Sequence, residues 1–285
     1  VHACMRGCII QCSNVYVDAD GRLLVSPLEY ETLVLMGSNL GIGDPDEIAR
    51  FNYLANDIGI DTIETGAAIG VLMGEGQLEF GDSATVARLL EEIRRGSAIG
   101  RLIGSGTAAV GKALGTPRVP VVKGQSFAAH EARAVKGMAV TYATTPMGAD
   151  HSTGVTFRAK VDHSRPEGQM EVSRDTQVRV AAYDALGFCL FVTSGVGGHP
   201  EVTVELLNAM YDRQLGPEYL TALGKEVIKT ERAFNLAAGF TAAHDRLPEF
   251  MYREPLPPTG LVVDIPEEDY QRYWDAEYWG DEGRL

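Results

Sequence analysis

Apolar residues along this chain recur mostly at intervals of three and four. Val86, Leu89, Leu90 and Ile93 form such a stripe behind Asp82 and predict an amphipathic helix. Helix-start signals are dense. Ser26-Pro27-Leu28-Glu29 has the form of a capping box with Pro at the first helical position, predicting a helix that runs to about Gly41. Asp44-Pro45-Asp46-Glu47 predicts a second helix ending at Gly59, and Asp61-Thr62-Ile63-Glu64 a third through 67–73. Further helices are expected at about 105–114, 130–136, 174–186, 201–213, 217–238 and 266–279. Strand signals are few and short, at 15–17 with 23–25 around Asp20-Gly21, and at 119–122. The prediction is a mainly α, multihelical fold. Thr116-Pro117-Arg118-Val119-Pro120 interrupts the helical series and divides it into two all-α subdomains, 1–122 and 123–285. The aromatic last helix, with Tyr270, Tyr273, Trp274, Tyr278 and Trp279, reads as a packing helix.

Composition narrows the function classes. The 285 residues are 45% hydrophobic and 22% charged, which favours a packed core over disorder. The net charge of −14 argues against a nucleic-acid partner or an anionic membrane surface, since both need a basic face. Apolar runs such as 33–36 and 188–193 are too short to span a bilayer, and no leader pattern is evident. The expectation is a soluble, cytoplasmic protein. Because the chain starts at Val1 with a cysteine cluster three residues on, a longer natural polypeptide or a partner chain is also expected.

All four cysteines can serve one site. Cys4, Cys8 and Cys12 are spaced C-x3-C-x3-C, and Cys189 lies far downstream. Three close thiolates plus a distant one can wrap a cubane 4Fe-4S cluster. A straight helix would separate Cys4 from Cys12 by about 12 Å, eight rises of about 1.5 Å, so the segment must curl and Gly7 gives it room. A zinc site is the second reading, although zinc usually takes tighter cysteine pairs. Two disulfides would suit an exported protein, and a radical cluster would use three cysteines ahead of alternating strands and helices.

Two six-residue stretches are alike. Asn56-Asp57-Ile58-Gly59-Ile60-Asp61 and Asp184-Ala185-Leu186-Gly187-Phe188-Cys189 each predict a helix ending at Gly, with a polar or thiol group two residues later. Such junctions free backbone amides and carbonyls for a flat polar heterocycle, and a carboxylate can pair with its amino group. Either one alone is equally a capped helix terminus.

With these features the sequence resembles the C-terminal helical part of the tungsten-dependent aldehyde:ferredoxin oxidoreductases. The likeness runs from the cysteine cluster through Tyr30-Glu31-Thr32, Gly37-Ser38-Asn39 and the two turns. It continues in Tyr142-Ala143-Thr144, Gly148-Ala149-Asp150-His151, Arg232-Ala233-Phe234-Asn235 and Asp245-Arg246-Leu247-Pro248. The resemblance implies two helical subdomains around a tungsten, occasionally molybdenum, bis-pyranopterin, beside a 4Fe-4S cluster. It implies that Asn56, Gly59, Ile60 and Asp61 line one pterin, and that Asp184, Gly187 and Phe188 line the other. Cys4, Cys8, Cys12 and Cys189 become cluster ligands, Cys189 also neighbouring the second pterin. Glu31 and His151 match the active-site carboxylate and histidine.

The implied reaction is oxidation of an aldehyde with water to a carboxylic acid, with electrons leaving to ferredoxin or a similar carrier. Glu31, followed by Thr32-Leu33-Val34-Leu35-Met36, would be the base, against the plainer reading of a solvated helix residue. His151 would orient the aldehyde or carry a proton, against that of a capping loop histidine. His130, His163, His199 and His244 have no independent support.

Departures from the family pattern qualify this. The first cysteine gap is three residues where two is usual, leaving Cys4 the weakest ligand assignment. Asn56 replaces an Asp, Met147 stands where Arg is common, and His130-Glu131-Ala132-Arg133 replaces His-Asp-Pro-Arg. The family's N-terminal β-rich domain has no counterpart here, which implies a fragment or a subunit needing a partner. Other readings are a low-potential reductase of acids or thioesters, an iron–sulfur electron-transfer module without pterin, and a zinc-stabilised scaffold. An acidic ferredoxin would need a local basic patch, for which Arg94 with Arg95, or Arg174 with Arg179, are candidates.

Overall fold

The computed structural model describes residues 3–280, with the side chain of Ser194 set aside. It is mainly α-helical, as the periodicity predicts, with two short antiparallel hairpins. Among the described residues no helix is long and apolar enough to cross a membrane. The chain forms two compact units, 1–129 with 248–250, and 130–247 with 251–285.

The first unit opens with β1 (Tyr16–Val17) paired to β2 (Leu23–Val25). Helix α1 spans only Tyr30–Leu35 and is followed by a 3-10 turn at Ser38–Leu40, which corrects the expected continuous helix from Ser26. Ser26 does not cap it: its hydroxyl donates to the Asn14 carbonyl at 2.7 Å. Next come α2 (Pro45–Ile58), α3 (Thr62–Gly74) and α4 (Ser83–Arg95), each started by an aspartate accepting from a backbone amide, Asp44, Asp61 and Asp82 respectively. The α4 stripe points inward as predicted, with Val86, Leu89 and Leu90 buried. Helices α5 (Ala98–Gly104) and α6 (Thr107–Leu114) follow, and then β3 (Val121–Val122) pairs with β4 (Gln125–Ser126).

Glu64 staples this unit. It was expected to complete a capping box, but its carboxylate accepts from the Thr107 amide at 3.0 Å, the Thr107 hydroxyl at 2.9 Å and the Ser126 amide at 2.6 Å. One side chain thereby ties α3 to the start of α6 and to β4.

In the second unit the expected helix at 130–136 is a series of turns, and α7 (Lys136–Thr144) begins where it was to end. Helices α8 (Gln169–Ala185), α9 (Leu190–Val196), α10 (Pro200–Tyr211) and α11 (Glu218–Ala237) follow. The chain finishes with α12 (Phe250–Arg253, its first residue in the other unit), α13 (Glu267–Tyr273) and α14 (Ala276–Trp279). Helices α8 and α11 cross closely: an added Cβ at Gly224 would fall on the Val178 carbonyl. The aromatic terminus packs as predicted, with Tyr270, Tyr273 and Trp279 buried.

Candidate functional site

The two matching stretches fold alike. Helix α2 ends at Gly59, which has φ 83°, and Ile60 N–H donates to the Ala55 carbonyl at 3.0 Å. Helix α8 gives way to Gly187, with φ 75°, and Phe188 N–H donates to the Tyr183 carbonyl at 3.0 Å. Both bonds run from the fifth residue of the turn to the residue before it, the 6→1 bond of a Schellman motif, which requires a residue tolerant of positive φ at the Gly position. The sixth residue is in each case the N-cap of the next helix, Asp61 for α3 and Cys189 for α9.

The turns differ in what their side chains leave open. Asp61 commits one carboxylate oxygen to the Glu64 amide at 2.7 Å. Cys189 makes no side-chain cap bond, and its thiol is exposed. Asn56 and Asp184 both reach solvent. Ile60 packs against the core of the first unit, and Phe188 lies edge-on to Tyr183 at 5.6 Å, so both offer mainly backbone to a ligand. Asp184 has its pKa raised by partial burial, then by the charge of Asp150.

Cys4, Cys8 and Cys12 lie on a curled segment. Gly7 has φ 84° and Gln11 φ 48°, and Cys8 N–H donates to the Met5 carbonyl at 3.3 Å. All three are free thiols, Cys8 half-buried and the others exposed, as is Cys189. Free, accessible thiols are the donor set an iron–sulfur cluster needs.

Glu31 sits in the first turn of α1, half-buried, and its Oε2 accepts from the Ala129 amide at 2.7 Å. The neighbouring Tyr30 hydroxyl donates to the Ala129 carbonyl at 3.2 Å, so one backbone position orients both side chains. The apolar run after Glu31 is only partly inward: Leu35 is buried, while Leu33 is exposed.

His151 lies in a loop that Asp150 builds, accepting from Ser152 Oγ at 2.6 Å and Thr153 N–H at 3.1 Å. His151 Nδ1 is 3.8 Å from Asp150 Oδ1, with 20% of the histidine side chain exposed. Its ring centroid is 5.1 Å from that of His130, which in turn stands 5.3 Å from Phe157. His130 was set aside in the sequence; the signal for it was its lead position in His130-Glu131-Ala132-Arg133. Three of the four arginines named for docking are engaged: Arg94 pairs with Asp57 and Glu91, Arg95 with Glu92, and the Arg174 guanidinium stacks 3.6 Å from the Tyr278 ring centre.

A cleft of about 230 Å³ opens in the second unit between α8, α11 and the stretch leading to His151. Asp184, Glu231 and Gln177 line it. Glu231 and Gln177 were missed, because helical spacing makes each an ordinary helix polar residue.

The family profile described as aldehyde ferredoxin oxidoreductase, domains 2 and 3, matches residues 1–285. The tungsten-containing aldehyde ferredoxin oxidoreductase of Pyrococcus furiosus is 27% identical over 284 residues, covering 90% of this chain and 46% of that protein. Its namesake from Pyrococcus abyssi is 28% identical over 308 aligned residues, covering 98% and 50%. The aliphatic sulfonate oxidoreductase, WOR-like subunit, of P. furiosus is 27% identical over 253 residues, covering 82% and 39%. The chain spans about half the length of the curated relatives it matches. On a match along its whole length, the chain belongs to the aldehyde ferredoxin oxidoreductase family, of which it carries domains 2 and 3.

Proposed function

We propose that this chain is the helical portion of a tungstopterin, iron–sulfur enzyme that oxidises aldehydes to carboxylic acids and passes the electrons to ferredoxin. The observation that carries this reading is the duplicated turn, with its 6→1 bond, its Gly at positive φ, and its sixth residue starting the next helix. Two such turns suit two pterins, held by Asn56, Gly59, Ile60 and Asp61 and by Asp184, Gly187 and Phe188. Cys4, Cys8, Cys12 and Cys189 would hold the 4Fe-4S cluster.

When bound, the tungsten (or molybdenum) pterin supplies a Lewis acid and two-electron acceptor, and the cluster an exit for single electrons. The chain's own residues handle protons and orientation. An aldehyde and one water give the acid, two protons and two electrons, so a base is required. Glu31 would take a proton from water or the hydrated aldehyde, its carboxylate held by the Ala129 amide so that one oxygen keeps a fixed direction. His151, held in the loop that Asp150 builds, would orient the aldehyde or carry a proton.

A second reading concerns the substrate. The sulfonate oxidoreductase subunit is as similar in identity, 27%, as the aldehyde enzyme of the same organism. Oxidation or reduction of an aliphatic sulfonate is therefore the alternative.

The test is plasma mass spectrometry for W, Mo, Fe and Zn on anaerobically purified chain, alone and co-produced with the other half of a relative. About four irons with tungsten are expected in the co-produced form. Zinc without iron in both preparations would remove the cluster reading, and iron without tungsten or molybdenum would leave an electron-transfer module.

A further inference from the structure

The loop from Pro146 to Gly154 carries His151 and is gripped at both ends by helices of the second unit. At its start, Asn235 Nδ2 on α11 donates to the Pro146 carbonyl at 2.7 Å, and Asn235 is buried. A carbonyl can only accept, so the partner fixes the orientation of this amide. Arg232, one turn earlier on the same helix, is pinned to Asp245 at 2.9 Å, which settles where Asn235 stands.

At its end, Gly154 seats in the seam between α7 and α8. An added Cβ there would lie 2.6 Å from Gln177 Cγ on α8 and 3.3 Å from Thr141 Cγ2 on α7. Thr141 Oγ1 stands 3.0 Å from the Gly154 carbonyl and 3.1 Å from that of Gly137. Both can only accept, so the Thr141 hydrogen turns to them, and Ser173 Oγ, 2.7 Å away, donates to Thr141. Ser173 in turn accepts from Gln177 Nε2 at 3.1 Å. Thr141 and Ser173 are fully buried, where an unpaired hydroxyl is costly. Between the two grips, Asp150 ties the loop to itself through Ser152 and Thr153.

We propose that Asn235 and Thr141 are positioning residues for His151. They fix a self-bonded loop at its first and last residues and so hold the imidazole in one place. A displacement of about 1 Å at a reacting group can cost about 10²-fold in rate, so the grips matter to turnover as well as to folding. The consequence for turnover rests on the reading of His151 as the group that orients the aldehyde or carries a proton; the grips themselves do not.

Hydrogen exchange of the 285-residue chain, followed by mass spectrometry, reads the loop directly. Turnover of an aldehyde with a viologen acceptor, in the chain co-produced with the other half of a relative, reads the consequence. Asn235→Leu and Thr141→Val remove the two donors at nearly constant shape, Thr141→Ser keeps the hydroxyl, and His151→Ala is made alone and combined with Asn235→Leu. Exchange over 147–154 is expected to quicken about five- to tenfold in Asn235→Leu and Thr141→Val, with α8 and α11 unchanged and Thr141→Ser near wild type. In the assembled enzyme Asn235→Leu should lower kcat about tenfold or more, and should cost nothing further in the His151→Ala background. Equal losses in both backgrounds would mean a general weakening and overturn the proposal. Unchanged loop exchange while His151→Ala is slow would overturn it and leave the role of His151 standing. An unchanged rate in His151→Ala would remove His151 from the reaction, and the proposal would fall with that reading however the loop exchanges.

Discussion

Arg232 and Asp245 meet as a buried ion pair, Nη1 to Oδ2 at 2.9 Å, with 4% and 3% of their side chains exposed. The Trp274 ring lies over the guanidinium at 4.4 Å, and its Nε1–H donates to the same aspartate oxygen at 3.0 Å. A motif segment on α11, a loop and the C-terminal aromatic segment are thus joined through one charge pair. Removing one partner strands the other in the interior. Asp245→Ala is expected to destabilise the fold by about 3–5 kcal/mol. Urea unfolding followed by tryptophan fluorescence measures this, and a loss below about 1 kcal/mol would contradict the buried pair.

Gly224 has no room for a side chain. An alanine there must push α11 away from the Val178 carbonyl of α8. The expected loss is about 1–3 kcal/mol, opposite to the gain that Gly→Ala normally brings to a helix. A chevron or equilibrium melt showing a more stable variant would refute the close crossing.

The paired turns make a matched prediction. Gly59→Ala and Gly187→Ala each force an L side chain into the left-handed region, at a cost of about 1–2 kcal/mol. If the turns hold pterins, each variant also lowers the tungsten retained by the assembled enzyme. Metal loss for one and not the other would break the proposed equivalence.

The acids of the cleft give a pH signature. Asp184 and Glu231 have raised pKa values in the fold, so the folded state binds more protons than the unfolded one. Their contribution to stability is therefore fully present below the ordinary carboxylate pKa and is lost as pH rises through the raised values. Glu231→Gln should stabilise the chain relative to wild type at pH 7, and the gain should fade toward pH 4. Paired thermal melts at the two pH values test the sign, and a larger gain at the acidic end would reverse it.

Glu31 is the residue to change for catalysis. In the assembled enzyme Glu31→Gln should lower kcat by about 10²–10⁴-fold with little effect on tungsten content. Steady-state rates with an aldehyde and a viologen acceptor measure it. An unchanged kcat would assign the base elsewhere.

Much of the helical order was legible because its signals are local. Asp44, Asp61 and Asp82 start helices through their own neighbouring amides, and Gly59 stops one through its own φ. The misreadings have two causes. Ser26 and Glu64 look like members of capping boxes, but Ser26 bonds to Asn14 and Glu64 to Thr107 and Ser126, partners distant in sequence. Helix α7 was missed because it is buried all round, which erases the amphipathic period.

By itself the sequence determined the mainly helical class, the likeness of the two turns, and the family resemblance. Each rests on residues near one another in the chain or on the order of motifs. Tertiary structure decided that Ala129 holds Glu31, that His130 stands beside His151, and that Glu231 and Gln177 share a cleft with Asp184. Apart from Gln177 and Asp184, which helical periodicity already places two turns apart on α8, those relations join positions from 21 to 98 residues apart along the chain, and no local rule of backbone or periodicity encodes which distant side chains the packing of helices will bring together.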